Sequence, residues 1–141
     1  MVYNITKIKY VDKEIYRSGR ISPEYLNRFS TVICLENDKE FIEAEEDYCW
    51  RHNIKYIRKP LSGFTRPTEE QLMGILGTLE MVPHPVLVRC RRGVDRTGFV
   101  IAAYRILVNG WDVERAYQEC LDNGHRRWIY WWWKKTLSNL T

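Results

Sequence analysis

At 141 residues the chain has room for one domain and its core, and its 45% hydrophobic and 28% charged content is that of a globular protein, not a disordered one. The net charge of +4 implies an anionic partner only where cations cluster. No apolar stretch approaches the roughly 18 residues of a membrane span, and the longest, Phe99 to Val108, is interrupted by Arg105. The four cysteines, Cys34, Cys49, Cys90 and Cys120, form no C-x-x-C pair, and the three histidines are scattered, so zinc-ligand spacing is absent and neither a metal nor a cofactor is expected. Met1 to Val11 lacks a signal-peptide core and no secretory context supports disulfides, so the sequence reads as a cytoplasmic single domain over 1–141.

In chain order, Ile5 to Tyr10 and Glu14 to Arg17 read as short strands, and Ser22-Pro23 as a helix cap with proline at the first helical position. Thr31 to Leu35 is a β-branched run typical of a buried strand. Asp38 to Arg51 is periodic and acidic at its start, as a helix dipole favours, and Ile54 to Ile57 reads as another strand. Prolines and a glycine mark Lys59 to Pro67 as a loop. Thr68 to Met81 reads as a helix, Pro85 to Val88 as a buried strand, and Phe99 to Val108, apolar nearly all round, as a central helix closed by Asn109-Gly110. Asp112 caps a helix ending at Gly124, and His125 to Leu140 is expected to form the last one. Strands alternating with helices predict an α/β fold, a mostly parallel central sheet flanked by helices.

The chemistry concentrates in Val86-Leu-Val-Arg-Cys-Arg-Arg-Gly-Val-Asp-Arg-Thr-Gly98, which runs from a buried strand through a loop into the central helix. Ligands of open α/β sheets bind at such carboxyl ends of strands. Backbone N–H groups of a strand–loop–helix turn form an anion nest, reinforced by the helix dipole. Cys90 opens the loop, where this field favours the thiolate. Arg96, six residues on, can curl back and offer two phosphate oxygens a planar fork. Gly93 relieves the curvature, and Thr97 can donate its hydroxyl to the sulfur. The phosphate-binding set is Arg91, Arg92, Gly93, Val94, Asp95 and Arg96. Gly93 to Gly98 also fits the G-x4-G of a nucleotide P-loop, but Phe99-Val100 stands where Lys-Ser/Thr is required.

Cys90-x5-Arg96-Thr97 resembles the signature of the protein tyrosine phosphatase superfamily, and Gly93-Val-Asp-Arg-Thr-Gly98 is similar to compact atypical dual-specificity phosphatases. Tyr16-Arg-Ser-Gly19, the strand Thr31 to Leu35 and the loop from Lys59 follow in the order such domains show, so the resemblance covers most of the chain. It implies a dual-specificity-phosphatase-like fold and a phosphocysteine intermediate on Cys90, hydrolysed by water. Two positions depart from the family. The histidine that usually precedes the cysteine is Arg89, a cation that can still stabilise the thiolate. The aspartate acid that relatives carry about 30 residues earlier is missing, since 52–88 contains no Asp, only Glu69, Glu70 and Glu80. The resemblance, extended to myotubularin-like phosphatases, leaves Asp95 as the candidate acid. A structural role for Asp95, bonding loop amides or pairing with an arginine, stands beside that reading.

The function implied is phosphomonoester hydrolysis on phosphoproteins, phosphoinositides or inositol phosphates, with an anionic substrate as partner and no stable nucleic-acid partner. RNA 5′-triphosphatase activity and a catalytically weak phosphate-binding module are the alternatives. Arg91 and Arg92 read either as solvated or as recruiting polyanions. His125-Arg126-Arg127 reads as a solvated helix start or part of the pocket rim. Trp128, Trp131 and Trp132 fall at i, i+3, i+4 and read as core, with Trp133 partly exposed. Arg105 is expected to snorkel or to pair with a carboxylate. Cys34 reads either as an inert core thiol or as a redox partner of Cys90.

Overall fold

The structure is a computed structural model that describes residues 7–126 and 131–141. Strands β1 (Lys9–Asp12) and β2 (Ile15–Ser18) pair antiparallel across Lys13 and Glu14, both at positive φ as a two-residue hairpin turn requires. β2 then pairs parallel with β5 (Val86–Arg89), β5 with β3 (Thr31–Cys34), and β3 with β4 (Lys55–Arg58), giving a five-stranded sheet in the order β1-β2-β5-β3-β4. β3 and β5 are buried throughout, which is why they read as unbroken apolar runs rather than alternating ones.

Alternation along these strands builds two cores. Ile33, Val86 and Val88 face one way, into the cluster that holds Leu72, Phe99, Ala116 and Leu137. These come from α2 (Glu69–Met81), α3 (Arg96–Leu107), α4 (Val113–Asp122) and α5 (Lys134–Ser138). Val32 and Leu87 face the other way, toward Leu26 of the 3-10 helix Pro23–Arg28 and Cys49 of α1 (Lys39–Arg51). Local chemistry sets the helix starts. Asp38 accepts from the Phe41 N–H and Asp112 from the Arg115 N–H, while Thr68 and Gln71 close a reciprocal capping box. Arg105 pairs with Glu119 on α4, as a cation in an apolar helix must.

The C-terminal expectation needs correction. His125 and Arg126 are not helical, and among the described residues that follow there are a 3-10 turn at Trp131–Trp133 and the short α5. Trp128 lies outside the described residues, as do the first two residues of the strand expected over Ile5 to Tyr10, whose observed counterpart begins at Lys9. Trp133, not Trp132, enters the core: it is fully buried edge-on against Phe99, whereas Trp132 is 39% exposed. A 3-10 turn advances each side chain by about 120° instead of 100°, so α-helical spacing selects the wrong face.

Candidate active site

β5 delivers Cys90 to the carboxyl end of the central strand, and the chain then turns through 91–95 into α3. The Gly93 N–H donates to Cys90 Sγ at 3.2 Å, so one loop amide already points at the sulfur. Gly93 has φ +72°, and a Cβ there would lie 2.4 Å from the Gly19 nitrogen and 2.5 Å from the Ser18 carbonyl carbon. No other residue fits this turn. The loop is held from β2 and the residues after it: the buried Arg17 donates Nη2–H to the Gly93 carbonyl at 3.0 Å, and the Arg20 N–H donates to the Arg91 carbonyl at 3.0 Å. Val94, half-buried, and Asp95 accept the Gly98 and Phe99 N–H groups with their carbonyls, which starts α3 at Arg96 with its positive end toward the loop.

Arg96 reaches across to the loop at 59–67, where Nη1 donates to the Leu61 carbonyl at 3.3 Å. Asn37 donates to the same carbonyl. Cys90, Arg96 and Gly63 line a cleft of about 120 Å³, with Arg91, Arg92 and Arg126 at its sides. Two larger clefts, of about 840 Å³ beside α1 and β4 and about 410 Å³ beside α2, are lined by no cysteine, whereas Cys90 lines the small one.

Four expectations change at this point. Arg89 and Cys90 are neighbours in an extended strand, so their side chains leave opposite faces of the sheet. The Arg89 guanidinium, fully buried, donates Nε–H to Glu45 at 2.8 Å and Nη1–H to Glu36 at 2.9 Å, and so is spent on carboxylates instead of the thiolate. Burial opposes its charge, but Glu45 outweighs burial and raises its pKa above the ordinary guanidinium value. Glu36 in turn pairs with Arg20, which pairs with Asp38. Nη1–H also donates to the Cys90 carbonyl at 3.1 Å, which ties the strand end to this network.

Cys34 pairs in register with Arg89 and shares its face, with Arg89 Nη2 3.4 Å from Cys34 Sγ. A Cys34–Cys90 disulfide would need the two side chains on one face, and the register forbids it. Thr97 does not donate to the sulfur: its Oγ1 is buried and has no hydrogen-bond partner among the described residues.

Asp95 does not meet the requirement for a general acid. Its Oδ1 accepts from His125 Nδ1 at 2.8 Å and from the Arg126 N–H at 3.1 Å, and its Oδ2 accepts from Arg126 Nε at 3.1 Å and Nη2 at 2.9 Å. Burial favours the neutral acid, but the bonds from His125 and Arg126 outweigh it and hold the carboxyl below the usual carboxylate range. The group is kept as an anion at neutral pH, with no proton to give. Arg17, Asn37, Glu36 and Glu45 were not foreseen as parts of the site's frame. The visible signal was a charged residue inside an apolar strand, which Arg17 and Arg89 both are.

Residues 14–127 match the family model described as DSP-PTPase phosphatase fused to NAD+ kinase. The chain is 31% identical over 109 residues to inositol diphosphatase DSP1 of Oryza sativa subsp. japonica, covering 69% of this chain and 48% of that protein. It is 26% identical over 129 residues to inositol diphosphatase DSP3 of Arabidopsis thaliana, covering 84% of this chain and 62% of that one. The chain thus spans roughly half to three-fifths of the length of these relatives. Its fold is similar to the core catalytic domain of the PP-IP phosphatase SIW14 from S. cerevisiae, with a TM-score of 0.81 at 21% identity over 95% of this chain and 85% of that one. TpbA of P. aeruginosa is similar too, with a TM-score of 0.74 at 22% identity over 94% and 92%.

Proposed function

The chain belongs to the DSP-PTPase family, the dual-specificity branch of the protein tyrosine phosphatases, and on that footing we propose that it is a cysteine-dependent phosphatase acting through a phosphocysteine on Cys90. The observation that carries this reading is the Gly93 N–H directed at Cys90 Sγ at 3.2 Å, in a loop that ends at the start of α3. The Cys90 thiolate attacks phosphorus, the bond from phosphorus to the leaving oxygen breaks, and the leaving group departs with the electron pair. Loop amides and the Arg96 fork hold the three equatorial oxygens as charge develops on them. Water then cleaves the S–P bond, releasing phosphate and regenerating the thiolate. One domain over 1–141 carries all of this, and a reducing compartment such as the cytoplasm keeps the Cys90 thiol competent. No helix among the described residues is long and apolar enough to cross a membrane.

The leaving group narrows the substrate. Asp95 is held ionised, and the loop at 59–67 contains no Asp or Glu, so the cleft offers no carboxylic acid at neutral pH. An alkoxide leaves poorly without a proton, whereas a phenolate or the phosphate end of a phosphoanhydride leaves as a much weaker base. Arg91 and Arg92, both exposed beside the cleft, add positive charge at its mouth. The substrate class supported best is a highly phosphorylated small molecule carrying a diphosphate, of the inositol phosphate kind for which the rice and Arabidopsis relatives are named. Initial rates on p-nitrophenyl phosphate, an inositol diphosphate and a phosphoserine peptide test this. The order expected places the diphosphate and the aryl ester above the serine ester by at least about a hundredfold, the lower end of what a missing acid costs an alkyl leaving group. Equal rates on all three contradict the assignment.

A further inference from the structure

Asp95 and Arg126 together account for a feature that the chemistry at Cys90 leaves over. Arg126 comes from the segment after α4, yet it lines the same cleft as Cys90 and Arg96. Its backbone N–H and two of its side-chain nitrogens are all bonded to Asp95, the residue directly before Arg96. His125 adds a further bond to the same carboxylate, and Asp95 is itself only 7% exposed. A two-pronged contact of this kind fixes the plane of a guanidinium as well as its position. The Arg126 side chain, so anchored, keeps 34% exposure at the cleft wall. An arginine already ordered in this way loses little side-chain entropy when an anion arrives.

We propose that Arg126 forms a second anion subsite next to the Cys90 pocket, which holds a further phosphate group of a polyphosphorylated small-molecule substrate, and that Asp95 is its positioning residue. The assignment deepens the phosphatase reading and rests on it. The cleft is small, about 120 Å³, and cations of separate origin converge on it: Arg96 from α3, Arg91 and Arg92 from the loop, and Arg126 from the segment after α4. Cations packed this closely suit phosphates carried a bond or two apart on one ring, rather than a phosphopeptide, whose single phosphate Arg96 already serves.

The test is a ratio of affinities, measured by calorimetry in the Cys90→Ser background so that binding does not depend on turnover. The probes are myo-inositol hexakisphosphate, inorganic phosphate and a phosphotyrosine peptide, and Arg28→Ala serves as a charge control at the far end of the sheet. Arg126→Ala is expected to lower the affinity for the hexakisphosphate at least about tenfold more than that for phosphate or the peptide, while Arg28→Ala leaves the ratio unchanged. Asp95→Asn lowers the same ratio although Arg126 is still present. Should Arg126→Ala fail to fold, Arg126→Lys carries the same expectation, because it keeps the charge and loses the fork. An unchanged ratio in Arg126→Ala, an equal loss for the peptide, or an equal loss in Arg28→Ala overturns the subsite. An unchanged ratio in Asp95→Asn overturns the positioning role. Failure of the wild-type protein to release p-nitrophenol would instead count against the phosphatase reading, and the calorimetric ratio still reads the subsite.

Discussion

Arg89 Nε–H is shared between the two carboxylate oxygens of Glu45, at 2.8 and 2.9 Å, across 44 residues of sequence and on the sheet face opposite the Cys90 thiol. Tyr56 donates to the same carboxylate, and Glu36 joins Arg89 to Arg20. The residue that replaces the family's histidine therefore does its work in the frame beneath the loop. Removing one member of a fully buried ion network strands the others, at a cost of about 3–5 kcal/mol. Arg89→His, which restores the family residue, is expected to destabilise the protein by that amount in urea unfolding, because one ring cannot reach both Glu45 and Glu36. Arg89→Met with Glu45→Leu recovers most of the loss. A stable and more active Arg89→His would contradict this placement.

Asp95→Asn separates an acid from a positioning residue. Loss of a general acid hurts alkyl phosphates far more than aryl phosphates and flattens the basic limb of the pH–rate profile. Asp95 is held ionised by His125 and Arg126, so the substitution should affect kcat/KM on the two monophosphate types alike, with no selective loss on the alkyl ester, and leave the basic limb in place. The sign for stability follows from the lowered pKa. The carboxylate's contribution is complete above the unfolded value of about 3.9 and is lost as pH falls through the lower folded value. The wild type should lose more stability than Asp95→Asn between pH 5 and the acid limit. A selective loss on the alkyl substrate would restore Asp95 as the acid.

The parts of this site that were legible in the sequence are local. The strand–loop–helix around Cys90, the glycine at Gly93 and the caps at Asp38, Thr68 and Asp112 each depend on residues a few positions apart, and periodicity and turn chemistry report such relations directly. Arg89 meeting Glu45, and Asp95 meeting Arg126 31 residues on, depend on strand register and on where a separate segment docks. Neither leaves a periodic trace. The face occupied by Cys34 follows from its register with Arg89, which becomes readable only once β3 is known to pair with β5. Trp133 displaced Trp132 from the core because a 3-10 turn stands where an α-helix was expected.

The four cysteines should differ sharply in reactivity. Burial pushes the Cys49 and Cys120 thiols up to about 12, and it raises Cys34 as well. At pH 7 a thiol near 12 is thiolate in about one molecule in 10⁵, so it alkylates slowly wherever it sits. Iodoacetamide on the folded protein is expected to modify Cys90 first, with orthovanadate protecting it. Mild peroxide should yield no Cys34–Cys90 peptide by mass spectrometry. Equal labelling of Cys34, Cys49 and Cys90 in folded protein, or that crosslinked peptide, would contradict the geometry.

The covalent step is the centre of the account, and it can be seen directly. Wild-type protein turning over p-nitrophenyl phosphate, quenched in acid and digested, should carry one phosphoryl group on the peptide that contains Cys90. Under the same conditions Cys90→Ser carries none and releases no p-nitrophenol, because its hydroxyl is too weak an acid to supply the anionic nucleophile. Undiminished turnover by Cys90→Ser, or a phosphoryl group trapped on any other residue, would contradict the mechanism.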